Sequence, residues 1–543
     1  MLVYFVIVPI IVGLILYLLY KSTLVRIFAV IAQLGLVIAS VYMFIQARAF
    51  TVYEGAIKGG FLGESGIIER IGGYESVMGI TLMADTLSAV FIMLTAFFFL
   101  IGVIYSFNEQ KKPLFWMLMF IWQGALMGIF LTSDFFNIFV LMEVATLIVT
   151  VLILFERAKR SMYDGLIYFM ANVVIMQFYL LGAGYLYRYT GTLSLYIANE
   201  QLKFIEREYI ILPYVLIMTF IVLKSALVPM FSWLPKAHGT PGAPSSVSAI
   251  LSGLHIKSAV YLFLRFQYTF EVVAVPEFFL AIGIITAIVG FIMALAQSDA
   301  KLVLAYHTIS QIGLIFTGFN IGGPYSYIGS LYHMVNHAIF KSTLFLATGI
   351  ISYAYGTRTI YDIKGVFKSM PLVGTATLLA IFGITGTPIF NGSISKYFIM
   401  SGQQGIMQYI LIFMSLGTII SFVKFSTMLW GKPNINIETK KVDIAQQIPI
   451  LLLGSLCFLG GVFGQQFILF MFNTELSVNP AGYLEKIIIF FISLVVGILI
   501  YKYYIKKSKL LKRVKQIDLG FRGICIAMGI FFGIMLIYVG FLQ

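Results

Sequence analysis

Charge is scarce in this chain. Asp, Glu, Lys and Arg make up 11% of its 543 residues, 60% are hydrophobic, and the mean hydropathy is +0.98. The apolar runs are too long and too many for the buried core of a soluble enzyme. They also exceed the ~10-residue alternating strands of a membrane barrel. We therefore predict an all-α polytopic membrane protein, with spans of roughly 20 residues.

Cysteine and cofactor motifs are scarce as well. The two cysteines, Cys457 and Cys525, lie in apolar runs without metal-ligand spacing, as ordinary buried thiols do. We find no nucleotide, haem or iron–sulfur motif, so we expect no cofactor and no metal. The formal charge of +14 is spread over short loops, which argues against nucleic acid as a partner. The first apolar run, from Leu2 to Tyr20, lacks a basic start and a cleavage signal, so we expect a retained helix.

Lys and Arg are distributed in a way that tests the number of spans. We count about sixteen, and their starts lie near residues 2, 24, 82, 114, 134, 163, 210, 245, 275, 301, 325, 370, 408, 447, 484 and 519. Basic residues collect on the odd loops and most acids on the even loops. The odd loops are therefore predicted to face the cytoplasm, with both termini on the other side. The polybasic segment 502–515 is expected to lie against anionic lipid headgroups, or alternatively to bind a partner.

Two spans contain an internal proline next to a charged residue. Span seven carries Lys224 and then Pro229, whereas span twelve carries Pro388 and then Lys396. Proline breaks a helix, and lipid tolerates the freed backbone groups only where the break lines a polar cavity. Because the two spans are five apart, they cross in opposite directions. Such paired broken helices are typical of inverted-repeat transport proteins.

Charged residues inside the spans are the main functional signal. A charge at the bilayer centre costs from ~3 to over 10 kcal/mol, so these residues predict a path for protons or cations. The six positions are Glu143, Lys224, Lys257, Lys341, Lys396 and Lys424. Glu143 next to a lysine would form a tunable pair, and the alternative is a fixed ion pair that only locks packing. For Lys424, the alternative is snorkelling to the interface.

Histidines accompany the lysines in two spans. In span eight, His255 and Lys257 are two residues apart and project to different faces, so we favour Lys257 as the relay group and leave His255 open. In span eleven, His333, His337 and Lys341 are spaced by four and line one face. A row of such groups with water between them is a candidate proton wire, whereas a single histidine would be a packing residue.

The stretch from Lys224 to Phe266, with its core WLPKAH and APSSVSAILSG, resembles the antiporter-like proton-translocating membrane subunits. This superfamily includes Mrp-type sodium/proton antiporters, membrane-bound hydrogenases and respiratory complex I, and the chain looks most like the Mrp D-type and hydrogenase branch. The likeness covers roughly residues 80 to 430. Two features depart from it: the Gly-Thr-Pro-Gly segment before Ala243, and two extra spans after the core.

The resemblance implies a fourteen-helix core with two inverted five-helix repeats and broken helices 7 and 12. It divides the chain into helices 1–3 (1–110), helices 4–8 (111–270), helices 9–13 (271–431) and C-terminal helices 14–16 (432–543). It also implies roles. Glu143 and Lys224 would be the switching pair and Lys257 the central relay, with the span-eleven histidines as the bridge and Lys396 as the terminal group.

We therefore expect an ion-translocating subunit of a multi-subunit Mrp-type antiporter in the cytoplasmic membrane of a prokaryote. Its partners would be other membrane subunits, lipids, protons and, in exchange, sodium. The first alternative is the same module in a redox-driven hydrogenase or complex I-type assembly. The second is a membrane scaffold whose buried charges only fix helix packing.

Overall fold

The computed structural model describes residues 1–19, 22–50, 66–77, 79–109, 111–155, 159–240, 242–433, 442–515 and 518–541. Within these ranges the chain is built from sixteen hydrophobic spans, two of them broken. The spans are α1 Tyr4–Leu18, α2 Ser22–Phe50, α3 Thr86–Tyr105, α4 Pro113–Leu131, α5 Phe135–Ile153, α6 Lys159–Thr190, α7a Arg207–Lys224 with α7b Trp233–Gly239, α8 Ser245–Thr269, α9 Pro276–Ala296, α10 Ala300–Asn320, α11 Pro324–Tyr355, α12a Pro371–Thr385 with α12b Asn391–Met400, α13 Ile406–Ser426, α14 Ile444–Val462, α15 Pro480–Tyr503 and α16 Phe521–Phe541.

Helix length and composition agree with the predicted spans. Thirteen helices of the described ranges are long and apolar enough to cross a membrane on their own. The other three spans are α1, which has 15 residues, and the two broken spans. Their first halves are α7a, with 18 residues, and α12a, with 15 residues. The prediction of an all-α polytopic membrane protein is confirmed. One small exception is an antiparallel hairpin between α2 and α3, in which Ile67–Arg70 pairs with Thr81–Ala84. Of the loop charges behind the predicted sidedness, Lys21, Glu54, Glu64, Arg157, Lys440 and Lys441 lie outside the described residues.

Burial divides the helices into a central group and an outer group. The best 18-residue window of α8 is 100% buried, and those of α10 and α11 are 89% buried. The same measure is 17% for α15 and 28% for α2, whose exposed side chains are apolar. The polar and charged side chains of α8, α10 and α11 therefore lie inside the bundle, and the outer helices present a surface suited to lipid or to other membrane proteins.

Both predicted helix breaks are present. Span seven stops at Lys224 and resumes at Trp233, and span twelve stops at Thr385 and resumes at Asn391. The prolines Pro229 and Pro388 lie inside these gaps, where they cost no helical hydrogen bond. Each gap also holds a non-glycine residue with positive φ, Ala226 at 52° and Ile389 at 73°. Such strained backbone persists only where surrounding packing imposes it.

The two breaks occupy equivalent places in two runs of five spans. In α4–α8 and in α9–α13, the fourth span is the broken one. Because the two broken spans are five positions apart in the order of spans, they cross the membrane in opposite directions. The two runs thus form the inverted five-helix repeats that the resemblance implies. The proposed domain limits at residues 110, 270 and 431 all fall between spans and stay a prediction.

The C-terminal spans reach back over the two repeats. Helix α15 lies against α13, the short helix Lys509–Val514 contacts α9, and α16 packs on α6 and α7a. Two polar contacts hold the connecting segment: Lys515 Nζ donates to Ser298 Oγ at 2.8 Å, and Asp518 pairs with the buried Lys236. This segment therefore contacts protein as well as carrying the basic residues for which we predicted lipid headgroups.

Candidate functional site

The lysines predicted to lie inside the membrane are buried in the protein. Their exposed fractions are 4% for Lys224, 0% for Lys257 and Lys341, and 3% for Lys396. A lysine that snorkels leaves its ammonium group in water or among headgroups. These four do not, and each ammonium group has hydrogen-bond partners within the bundle. The burial of four ammonium groups is costly and is the physical signature of an intramembrane site.

The first end of the site lies where α7a meets α5. Lys224 is the last residue of α7a, and its Nζ donates to Thr146 Oγ1 at 2.8 Å. The Thr146 hydroxyl itself donates to the Met142 carbonyl at 2.8 Å, which leaves its oxygen free to accept. Glu143 lies one turn before Thr146 on α5 and is half-buried. Lys224 is thus bound to a threonine three residues from Glu143 and lies within electrostatic range of that carboxylate, with no ion pair between the two among the described residues.

The centre of the site joins the two five-helix repeats. Lys257 Nζ lies 2.5 Å from His337 Nδ1, and it also donates to the Ser252 carbonyl at 2.5 Å. That carbonyl lies in a π-helical turn, formed by residues Leu251–His255 of α8, where the sequence predicts regular helix. π-turns displace the hydrogen-bond register and are frequent at functional sites. Lys257 of α8 and His337 of α11 therefore meet across the boundary between the repeats.

His255 takes a different direction from Lys257, as their spacing predicts. Its Nδ1 accepts from Trp122 Nε1 at 3.4 Å, and the two rings lie 5.8 Å apart between centroids. His255 is 4% exposed and points toward the first repeat, on the side of Lys224. It ends the π-turn on the side of Lys224, while Lys257 reaches the second repeat. Its role as a relay residue stays a prediction.

The row on α11 makes contacts with neighbouring helices on both sides. His333 Nε2 lies 3.1 Å from Gln311 Oε1 of α10, and His333 Nδ1 lies 2.9 Å from Ser395 Oγ of α12b. Lys341 Nζ donates to the Leu304 carbonyl of α10 at 2.6 Å. The predicted single face of α11 therefore carries the site from the central contact towards α12b.

The second end of the site lies at the other broken span. Lys396 follows Ser395, and its Nζ donates to the carbonyls of Ile384 at 2.8 Å and Thr385 at 3.3 Å. These carbonyls end α12a, where the helix dipole places negative partial charge. The break thus supplies acceptors for a buried ammonium group. Asn336 donates to the Asn391 carbonyl and Asn391 donates to the Asn336 side chain, each at 3.1 Å, which fixes α12b against α11.

Two buried histidines outside the predicted set have no hydrogen-bond partner at either ring nitrogen among the described residues. His238, in α7b, stacks on Phe345 with 4.6 Å between centroids, and His307, in α10, lies 4.7 Å from Phe422. The polar face of α10 that carries His307 also holds Ser310 and Gln311; of these, Gln311 contacts the site and Ser310 bonds the Ala287 carbonyl. Sequence reasoning missed His238, although it lies in the WLPKAH motif.

A cavity of about 990 Å³ lies on the side of the odd loops. Asp299, Lys301 and Arg358 line it, and Lys301 is 6% exposed with its Nζ donating to the Ala243 carbonyl at 3.1 Å. Behind Lys301, His238 lies within electrostatic range of both Lys301 and Lys341. Aqueous access from this side therefore ends a short distance from the α11 row.

Other buried charges in the spans have a structural role. Lys424 does not snorkel; its Nζ donates to the carbonyls of Ala294, Leu295 and Gln297 at the end of α9. Arg265 forms an ion pair of 2.6 Å with Asp85, which also caps α3. No sequence signal points to this pair. Among the described residues, no group of three or more His, Cys, Asp or Glu side chains could hold a metal ion.

Apolar helices surround a buried row of lysines and histidines, which lies between two oppositely oriented broken helices. This architecture defines a polytopic membrane protein with a transport-type interior. The chain belongs to the NADH:quinone oxidoreductase/Mrp antiporter transmembrane family, whose profile matches residues 132–421.

Relatives and solved structures agree with this assignment. The chain is 26% identical to the D-type subunit of the Na(+)/H(+) antiporter of Alkalihalophilus pseudofirmus, over 89% of this chain and 98% of the relative. It is 30% identical to the N-type subunit of the NADH-quinone oxidoreductase of Desulforudis audaxviator, over 73% and 85%. In fold, it is similar to a chain of the Mrp complex from Dietzia sp., with a TM-score of 0.78, 20% identity and coverage of 91% and 99%. It is also similar to a chain of the archaeal membrane-bound sulfane sulfur reductase, with a TM-score of 0.77, 23% identity and the same coverage.

Proposed function

We propose that this chain is the ion-translocating subunit of a multi-subunit Mrp-type cation/proton antiporter. One observation carries the proposal: Lys257 and His337 meet at 2.5 Å across the boundary between the two repeats. This contact links the buried lysines of the first repeat to the histidine row of the second through side chains that exchange protons.

In the first repeat, the transferable charge is the Lys224 ammonium group. Thr146 holds it one turn from Glu143, so a small rotation of the lysine side chain exchanges the threonine for the carboxylate. Close to Glu143 the ammonium form is stabilised, and away from it burial favours loss of the proton. Movement of Lys224 between these positions therefore couples its protonation to its place along the site.

From Lys257, in the last span of the first repeat, the proton passes to the α11 row of the second repeat and then to Lys396. His337 accepts from Lys257 at one ring nitrogen, while its Nε2 has no partner among the described residues and remains able to bind water. His333 contacts Ser395, the residue before Lys396. Neutral imidazole accepts at one nitrogen and donates at the other, so each histidine passes a proton without moving its ring far.

Protons reach the site through the cavity that Lys301 lines. Basic residues mark its loops as cytoplasmic, and both termini are then on the opposite face. Lys301 lines the cavity, and His238 lies within electrostatic range of both Lys301 and Lys341. His238 has no fixed hydrogen bond among the described residues, which leaves both of its ring nitrogens available to water.

The named relatives support the assembly as well as the activity. The relative that this chain matches over most of both lengths is named as the D-type subunit of a Na(+)/H(+) antiporter, and the similar fold comes from an Mrp complex. We therefore propose that other membrane subunits are the partners. The exposed apolar faces of the outer helices would contact these subunits or lipid. Sodium is the exchanged cation in this proposal.

The test is ion flux in vesicles that contain the purified complex. We expect Lys224→Ala and Glu143→Ala to lose pH- and sodium-linked flux while the complex still assembles. Lys424→Met is the matched control, because Lys424 is a buried lysine outside the relay, and its flux per assembled complex should persist. Unchanged flux in either relay variant would favour the scaffold, whose buried charges serve only packing.

A redox-driven assembly is the second candidate. The 30% identity to a chain of an NADH-quinone oxidoreductase favours it, and the fold shared with the sulfane sulfur reductase is compatible with it. In that case the same relay operates, but electron transfer in partner subunits drives it. Measuring flux with and without a redox donor separates the two, since an antiporter needs only an ion gradient.

A further inference from the structure

Lys486 of α15 is a charged group that neither the sequence analysis nor the relay uses. It follows Pro480, the first residue of α15, by six positions, which places it about 9 Å along the helix. A lysine so close to a helix end ordinarily extends to the interface. Here its Nζ instead donates to the Ser393 carbonyl of α12b and lies 5.8 Å from the ring centroid of Tyr397. The ammonium group points into the protein, towards the end of the relay.

Lys486 and Lys396 line one small cavity between α12, α13 and α15. Its volume is about 30 Å³, and its wall is mostly apolar, with Thr385, Ser415 and Ser493 among the residues that line it. A space of this size holds about one water molecule, which needs two to four polar partners. The two lysine side chains that line the cavity supply two of these partners. A single water is therefore enough to connect the two lysines by hydrogen bonds.

On its other side, Lys486 lines a cavity of about 250 Å³. Ser401, Gln403, Gln408 and Glu485 share its wall, and the exposed Gly402 and Glu485 form part of its rim. Gly402 lies in the loop between α12b and α13, which is an even loop. This cavity therefore opens on the face opposite to the cavity at Lys301.

We propose that Lys486 is the last proton carrier, which takes the proton from Lys396 and releases it to the cavity beside Glu485. This inference rests on the proposed function. The proton leaves the Lys396 ammonium through the bridging water for the neutral Lys486 amine, and then leaves the Lys486 ammonium for water in the outer cavity. Two ammonium groups around one small cavity repel each other, so arrival of a proton at Lys396 favours release from Lys486.

The other groups around Lys486 fit this role. Tyr397 of α12b and Glu485 of α15 are titratable side chains beside it, in addition to Lys396, and His333 of α11 lies within electrostatic range. Helix α13 contributes Gln408 and Ser415, which do not titrate in this range. Glu485, at the exposed rim, attracts the leaving proton. The extra C-terminal span thereby completes the exit of the relay.

The test compares Lys486→Arg, Lys486→Met and Lys486→His in the whole complex, with pH-linked flux in vesicles as the readout. Arginine keeps the charge and the hydrogen-bond donors but does not release its proton. We therefore expect both the Arg and the Met variant to lose flux at least tenfold. The His variant should retain flux, with its half-maximal pH shifted to the acid side, because imidazole titrates well below an amine.

Lys502→Met is the matched control, since Lys502 is an exposed lysine at the other end of the same helix. Wild-type flux in Lys486→Arg would overturn the proposal and leave Lys486 as an anchor for α15. Lys224→Ala is measured in parallel. Loss of flux there with full flux in all three Lys486 variants refutes the exit step alone, whereas full flux in Lys224→Ala refutes the proposed function itself.

Discussion

At the scale of single residues, the lysines of the spans differ in what accepts their hydrogen bonds. Lys424 donates only to backbone carbonyls, which cannot take a proton onward. Lys257 also donates to a carbonyl, but it contacts in addition an imidazole nitrogen, and an imidazole can pass a proton onward. Burial alone therefore does not identify a relay group. The neighbouring imidazole singles out Lys257, because a proton path needs an acceptor that can later donate. Lys341 and Lys396 donate to backbone carbonyls as Lys424 does, so their place in the relay rests on the histidines and the second lysine near them.

The Lys257–His337 contact leads to a prediction about energetic coupling. Lys257→Met and His337→Gln should each lower flux at least tenfold, equivalent to about 1.4 kcal/mol or more in the rate-limiting barrier. The double variant should be little worse than either single one, because both remove the same transfer step. Flux in vesicles for the four members of the cycle provides the measurement.

Lys424→Met serves as the control for this cycle. It should lower the thermal stability of the complex, since three buried carbonyls lose their donor at about 1–3 kcal/mol for an unsatisfied group. Its flux per assembled complex should match the wild type. Additive losses in the Lys257 and His337 double variant would contradict a shared transfer step.

At the scale of the elements, the helix breaks create the ends of the site. Helix α12a must end so that the carbonyls of Ile384 and Thr385 face Lys396, and α12b must begin close to that end. Gly392 makes this approach possible, because a Cβ at this position would lie 1.9 Å from the Gly383 carbonyl oxygen. No real side chain fits there, so the geometry of the break depends on glycine.

We accordingly expect Gly392→Ala to destabilise the protein by about 1–3 kcal/mol or more, as overpacking does. The change should also displace Lys396 from α12a and reduce flux. Thermal unfolding of the purified complex and flux in vesicles test both effects. Gly184→Ala in α6 is the matched control, since a Cβ there meets nothing within 4 Å. Equal stability of the two variants would refute this account of the break.

At the scale of the whole molecule, sixteen spans place both termini on the same side of the membrane. The two cavities lie on opposite faces, one at Lys301 and one at Glu485. Helices α15 and α16 extend the bundle from the second repeat back to the first, since α15 packs on α13 and α16 on α6 and α7a. The proposed relay thus runs between two faces that charge distribution assigns to different compartments.

Cysteine labelling tests this orientation. With Cys457 and Cys525 replaced by serine, Glu475→Cys on an even loop should react with a membrane-impermeant maleimide added to intact cells. Lys432→Cys, on an odd loop, should react only in inverted vesicles. Both positions are exposed, so accessibility of the side chain does not limit either reaction. The reverse pattern would invert the predicted sidedness and, with it, the assignment of the two cavities.

Much of the architecture and several site residues follow from the sequence. Apolar length predicts the spans, proline next to lysine predicts the two breaks, and the spacing of His333, His337 and Lys341 predicts their shared face. Each is a local signal, carried by residues within one helix. A charged residue inside a span is informative because placing its side chain in lipid costs free energy.

The tertiary structure decided which of these residues meet. Lys257 and His337 are eighty positions apart, and their contact depends on the packing of α8 on α11 and on a π-turn without a sequence signal. Thr146 between Glu143 and Lys224, His238 behind Lys301, and Lys486 beside Lys396 likewise come from distant segments. Hydropathy reports the cost of placing a residue in lipid, but a proton path depends on distances between side chains, and only packing sets those distances.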